Sequence, residues 1–287
     1  MIRQDLASRW YKAIFARHSV RAYDGSSVPD GMRNEIDLLL DGFSPMCEGA
    51  RAVLLEGGSS EILAGFLGAF GRIRGADLVL VLIGDTPYPN YEVAVGFLGE
   101  GIILHATSLG LGTCWVSGTY SRKAVEVRVE LRDGEKVMAV SPIGFAAGHS
   151  AEAHLAEASL AARQEQEVRG KAMEASTGLH KRKPLKSLVR GLAIEDWPPG
   201  YPEMLEAARL APSAVNRQPW RFTVESDRIV VSAARFELLP MAARRLDCGI
   251  SMLHLEVAAD ANGVQGEWEF LGNPPAVAEY VSRRRDL

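Results

Sequence analysis

The sequence is poor in cysteine. Its three cysteines, Cys47, Cys114 and Cys248, stand far apart, are odd in number and form no metal-ligand spacing. A disulfide framework is excluded, and each is expected to be a small buried apolar residue in a reducing compartment. Positive charge is not in surplus either. The 32 Lys and Arg against 36 Asp and Glu leave a formal net charge of -4, which argues against a broad nucleic-acid-binding surface but allows a local basic pocket. No run is long and apolar enough to span a membrane. The N-terminal MIRQDLASRWYKAIFARHS has no signal-peptide apolar block. A cytoplasmic protein with no membrane or nucleic-acid partner is expected. The GxGxxG dinucleotide fingerprint and the Walker-type phosphate loop are both missing.

The 287 residues suffice for one large domain or two small ones, and 47% apolar with 24% charged residues is the composition of a globular protein. Leu6, Trp10 and Ile14 fall at helical spacing, as do Ile36, Leu39, Leu40 and Phe43 within 32–43. RAVLLE at 51–56 and DLVLVLI at 77–83 read as strands, the second fully buried. Residues 91–109 read as a long helix apolar nearly all round, which places it inside the protein. Gly96, Gly99 and Gly101 would admit a close neighbour, and Gly110 and Gly112 would end the helix. VMAVSPIGFA at 137–146 is a further strand. The polar stretch 152–176 reads as a surface helix or linker, and WPPGYP at 197–202 as a boundary.

Beyond that boundary the pattern recurs. A helix at 203–210 precedes a hairpin, 221–225 and 228–232, turning on Ser226 and Asp227; an apolar helix at 248–261 precedes the strand EWEFL. LLLDGFSPMCEGARAVLLE matches EAARLAPSAVNRQPWRFTVE as helix, Pro/Ser turn and strand, so a diverged internal duplication is expected. The fold class is α+β, in two similar lobes, each with a central antiparallel or mixed sheet and a long buried helix. The expected division is 1–190, including the linker, and 191–287.

Three short segments carry candidate chemistry. RHSVR (Arg17–Arg21) offers planar guanidinium forks and a hydroxyl suited to phosphate oxygens. GLGTCWVSG (Gly110–Gly118) permits a tight helix exit and a backbone N–H open to a ligand. In PSAVNRQPW (Pro212–Trp220), Asn216 and Gln218 could read the edge of a planar heterocycle. Alone, each has a plain structural explanation: a solvated basic turn, a helix cap beside a core tryptophan, and an Asn-containing turn. His105 and His254 lie in apolar helix patterns and are expected in the core, with Trp115 and Trp220 as packing residues.

Together the segments resemble the FMN-dependent nitroreductase family: RxSxR after an N-terminal helix, GLGTxW after an apolar helix, APSxxNxQPW before a strand, and IGFAAG followed by RKPL. The resemblance touches the chain from Arg17 to about Phe270, although only the short motifs are specific. It implies that Arg17, His18, Ser19 and Arg21 hold the FMN phosphate and ribityl chain, and that Arg182 and Lys183 also face the phosphate. It further implies that the backbone of Ser117 and Gly118 lies near flavin N5, and that Pro212, Ser213 and Asn216 cover the flavin. Arg72 and Arg74 lie where a flavin pyrimidine-edge contact would fall but match no motif. In the family the PSxxN segment follows RxSxR closely and reaches the site from the other subunit. Here it lies in the second half, which itself lacks a good RxSxR. A fused pseudo-dimer is therefore expected, resembling the family's single-chain two-lobed subset, with the cover supplied in cis and one live site.

The implied activity is that of an FMN-dependent NAD(P)H oxidoreductase. It would work by ping-pong hydride transfer through N5 to a small acceptor such as a nitroaromatic or quinone, as a monomeric pseudo-dimer or weak homo-oligomer. Alternatives are a non-catalytic flavin-binding or regulatory protein, a relative without flavin, and the same fold used for dehydrogenation, dehalogenation or flavin breakdown.

Overall fold

The computed structural model describes residues 4–43, 46–65, 72–148, 182–234 and 240–283. The polar stretch expected as a helix at 152–176 lies outside them. The chain divides into two compact units. One is Ala16–Val168; the other joins Met1–Phe15 to Arg169–Leu287. The first helix, α1 (Gln4–Ala16), is thus grouped with the C-terminal half rather than with the residues that follow it. Its predicted stripe is buried at Leu6, Trp10 and Ile14.

The Ala16–Val168 unit contains α2 (Asp30–Gly42), β1 (Ala50–Glu56), α3 (Ser59–Ile62), β2 (Leu78–Asp85), α4 (Tyr91–Ser108), β3 (Gly112–Thr113), α5 (Arg122–Glu126) and β4 (Glu135–Gly144). Its sheet has the order β1-β2-β4-β3 with antiparallel pairing throughout. Every residue from Leu78 to Ile83 is buried, as the unbroken apolar run requires, and each such side chain contributes about 1.5–3 kcal/mol. α4 packs on β1 and β2, and its glycines are the contact points. A Cβ on Gly99 would lie 2.6 Å from the side chains of Leu82 and Trp115, and one on Gly101 2.4 Å from the Phe43 ring. Gly110, at φ +83, takes the chain out of the helix. Gly112 belongs to β3 instead of ending α4.

The other unit contains, besides α1, β5 (Val189–Gly191), α6 (Tyr201–Arg209), β6 (Trp220–Val224), β7 (Arg228–Ala233), α7 (Met241–Ala261), β8 (Gly266–Phe270) and β9 (Ala276–Ser282). Its sheet runs β5-β6-β7-β9-β8, with β5 parallel to β6 and the rest antiparallel. α7 is buried along most of its length and packs on α6, where His254 Nδ1 lies 2.9 Å from Ala207 O. α7 starts seven residues before the expected Cys248, because Arg244, Arg245 and Asp247 hide the first turns from an apolar count.

The duplication is visible in the topology. Both sheets contain the order first-second-fourth-third, as β1-β2-β4-β3 and β6-β7-β9-β8, with the long helix between the second and third strands. Each long helix also buries a glutamate that accepts an indole N–H. Trp115 Nε1 donates to Glu100 at 2.7 Å, and Trp268 Nε1 donates to Glu256 at 2.8 Å. None of the three cysteines is in a disulfide. Cys114 and Cys248 are buried as expected, but Cys47 is only half-buried.

Candidate functional site

In the Ala16–Val168 unit, the segment after α1 lies against the segment after α4. Val20 N donates to Thr113 O at 2.9 Å, and Ser19 bridges to Thr113 in parallel. The structure therefore brings the Arg17–Arg21 segment onto β3. Arg17 is the unusual member. Its side chain is 3% exposed, and its nearest carboxylate, Glu100 Oε1, stands 3.8 Å from Nε. Its Nε and Nη1 are buried and have no hydrogen-bond partner. Burying a guanidinium is costly unless its donors are met. Arg21 Nη1 donates to Ser19 O at 3.3 Å, while His18 is exposed with Nδ1 3.3 Å from Ala16 O. The Thr113 hydroxyl oxygen is a further buried polar atom without a partner. Burial pushes the Cys114 thiol up in pKa, opposed by Arg21, by a hydrogen bond from Ser19 and by Arg17.

The same strand runs on to Ser117 and Gly118. Val116 exchanges two backbone bonds of 2.9 Å with Val140, which fixes the start of the loop. Ser117 and Gly118 are exposed, and a Cβ built on Gly118 would meet nothing within 4 Å. The space over this loop is open.

In the other unit, the Pro212–Trp220 segment is a strained, heavily bonded turn. Val215, Asn216 and Gln218 hold φ of 44°, 57° and 50°, a region unfavourable to non-glycine residues and most of all to a β-branched one. Arg182 Nη1 donates to Asn216 Oδ1 at 2.5 Å and its Nη2 to Leu210 O at 2.8 Å. Lys183 N donates to Gln218 Oε1 at 2.7 Å, and Lys183 Nζ donates to Arg217 O at 2.6 Å. Gln218 N donates to Ser213 Oγ at 2.8 Å. Pro212 is buried, whereas Val215 is 78% exposed at the tip. The basic pair and the PSAVN segment, separate in sequence, thus form one network.

Two residues of these sites escaped the sequence reading. Glu100 is the one acid in the apolar middle of α4, 0% exposed beside Arg17; its isolation among apolar residues was the available signal. Asp247, on α7, is 2% exposed, and both its carboxylate oxygens accept the Ala214 N–H, at 3.2 and 3.3 Å. Burial pushes its pKa up to about 8. Nothing in the sequence marks it.

A sequence model of the family described as "Putative TM nitroreductase" matches residues 9–259. This chain belongs to that nitroreductase family. A solved structure from Thermotoga maritima, described as a "putative nitroreductase", is 19% identical, with 95% of this chain and 93% of that one covered at a TM-score of 0.60. This likeness shows a shared fold. An FMN-dependent nitroreductase from Clostridium difficile is 18% identical, covering 50% of the nitroreductase-family chain described here and 88% of its own at a TM-score of 0.40. A Bacteroides thetaiotaomicron protein described as "Putative NADH dehydrogenase/NAD(P)H nitroreductase" is 22% identical, covering 49% and 88% at 0.41. No curated protein matches the chain in sequence. Among the described residues of this nitroreductase-family protein, no helix is long and apolar enough to cross a membrane.

Proposed function

We propose that this nitroreductase-family chain is an FMN-dependent NAD(P)H oxidoreductase that reduces a small acceptor, such as a nitroaromatic or quinone, in a ping-pong cycle. The observation that carries this reading is Arg17. Two of its nitrogens are buried without a hydrogen-bond partner, and buried donors are rarely left so. A phosphate monoester is a fitting partner, because its oxygens match the planar donor fork and its charge offsets the guanidinium. We assign Arg17, Ser19 and Arg21, with His18 at the exposed edge, to the FMN phosphate and ribityl chain. We assign the backbone of Ser117 and Gly118 to flavin N5, a reading supported by the open space at Gly118.

Pro212, Ser213 and Asn216 are assigned to the flavin cover, with Arg182 and Lys183 as the second basic pair. Their support is the left-handed turn, since strain of this kind is kept where function requires it. When bound, FMN supplies the redox chemistry, accepting hydride from NAD(P)H and passing electrons to the acceptor. The residues bind and orient. Arg17 and Arg21 neutralise phosphate charge, Glu100 holds Arg17 in place, and the Arg182–Asn216 bond fixes the turn.

The test is the visible spectrum of purified full-length protein, the flavin released on denaturation, and bleaching by NADH or NADPH. One FMN per chain that is bleached and then reoxidised by a quinone is expected. Protein that stays colourless after incubation with FMN would sink the reading. Bound flavin that neither dinucleotide bleaches would leave a flavin-binding protein without the enzyme.

A further inference from the structure

We propose that Asp247 is a positioning residue for the cofactor, anchoring the Pro212–Asn216 turn to α7 in the shape that covers the flavin. The inference rests on the flavin reading of that turn. Ala214–Asn216 form a single 3-10 turn in which Val215 holds a left-handed backbone, φ 44° and ψ 32°. Such a backbone persists only where its surroundings over-determine it. Within the turn, Asn216 N donates to Ser213 O at 3.0 Å and Arg217 N to Ala214 O at 3.1 Å. Ser213 stands in the capping place but does not cap the turn; its hydroxyl accepts the Gln218 N–H instead. The Ala214 N–H, at the opening of the turn, is therefore left to an outside acceptor. Asp247 supplies one from 33 residues away, with its oxygens at 3.2 and 3.3 Å.

Asp247 lies past the first turn of α7, so it does not cap its own helix. Arg244, one turn earlier on the same face, donates to Ala234 O, and Ala234 N donates to Pro219 O at 2.7 Å. α7 thus grips the chain on both sides of the β6–β7 hairpin, at Ala214 before β6 and at Ala234 after β7. Arg182 and Lys183 hold the far half of the turn through Asn216, Arg217 and Gln218. Asp247 holds its opening residue, which that basic pair does not reach. A carboxyl 2% exposed is a costly means of packing a helix. An apolar or amide side chain would serve the stability of α7 better, and a group kept at a cost in stability points to a duty in function. Release of the Ala214 N–H would let Val215 return to an ordinary backbone and carry Ser213 and Asn216 out of place. Asp247 acts through the turn and need not touch the flavin.

The test titrates FMN into the flavin-free full chain and compares parent, Asp247→Ala and Asp247→Asn. Amide hydrogen exchange across 213–218 is followed on the same flavin-free proteins. Asp247→Ala is expected to weaken FMN binding about tenfold and to speed exchange in 213–218, with exchange in 17–21 as in the parent. Asparagine offers Ala214 a carbonyl oxygen and should restore both readings. Asp247→Val, which refills part of the space, replaces the alanine variant if that variant does not fold, with the same expectation. Equal FMN affinity in parent and alanine variant would overturn the proposal and leave the flavin reading standing. Weaker binding with unchanged exchange in 213–218 would also overturn it, because the loss would not pass through the turn. So would failure of asparagine to rescue, which would make the charge and not the acceptor the active feature. A parent that takes up no FMN would sink the flavin reading itself, and the proposal with it, before any variant is compared.

Discussion

Replacing Asp247 with asparagine should stabilise the protein at neutral pH, although it alters the side chain that accepts the Ala214 N–H. The carboxyl is 2% exposed and its partner is the Ala214 N–H. One amide hydrogen bond does not compensate a buried carboxylate, so burial raises the folded-state pKa from 3.8 to about 8. Below pH 4 the group is protonated in both folded and unfolded chains and adds no pH-dependent term. Between pH 4 and 8 the unfolded chain releases a proton that the folded protein keeps, and stability falls by about 1.4 kcal/mol per pH unit. The accumulated penalty is about 4 kcal/mol at pH 7 and levels off at about 5–6 kcal/mol above pH 8. Asparagine keeps an acceptor for Ala214 and does not titrate. Urea denaturation at pH 5, 6, 7 and 8 should give curves for parent and Asp247→Asn whose separation grows by about 1.4 kcal/mol per pH unit from pH 5 to pH 7 and levels off towards pH 8. Parallel stability profiles across that range would refute the argument and show that Asp247 ionises normally.

Arg17→Ala should weaken FMN binding by about 1.5–3 kcal/mol, roughly ten- to a hundredfold, read as free flavin fluorescence in an ultrafiltrate. Retained stoichiometric flavin would count against the clamp. Glu135 accepts from Arg51 Nε and Nη2, both at 2.7 Å, and from Arg132 N at 2.8 Å. The Arg51 guanidinium holds its pKa down to about 2, so its contribution is full above pH 4.5 and lost as pH falls towards 2. Glu135→Gln should lower stability by about 1–3 kcal/mol at pH 7 and flatten the acid limb of a denaturation series; an unchanged limb would refute it. Val215→Asn should raise stability by up to about 1 kcal/mol, because asparagine tolerates the left-handed region better than valine. A lower melting temperature would mean that the turn is not held at positive φ.

Periodicity made the buried elements legible. β2 and α4 announce themselves as apolar runs, and the β6–β7 hairpin was visible from Ser226 and Asp227 between two strand patterns. β9 was not read, although it lies between β7 and β8, because AVAEYVS follows two prolines and its pairing to β7 is distant in sequence. β5 has only three residues and is defined by parallel pairing to β6, which no local pattern encodes. At the site, residue types were legible and environments were not. RHSVR suggested a basic turn, but that Arg17 is buried with unmet donors depends on α4 placing Glu100 beside it. The pairing of Arg182 with Asn216 spans 34 residues, and neither spacing nor the family resemblance announced it.

The grouping of α1 with the C-terminal half also bears on how the chain is made. At roughly 5–20 residues per second, the ribosome delivers the helix well before β6–β9, the strands of its own unit. For an interval on the order of 10–50 s, Leu6, Trp10 and Ile14 have left the exit tunnel without the elements that complete their unit. The Ala16–Val168 unit, contiguous in sequence, can close meanwhile. The newborn protein is thus a folded unit with an amphipathic helix whose apolar stripe is still uncovered, a natural client for a chaperone that binds nascent chains.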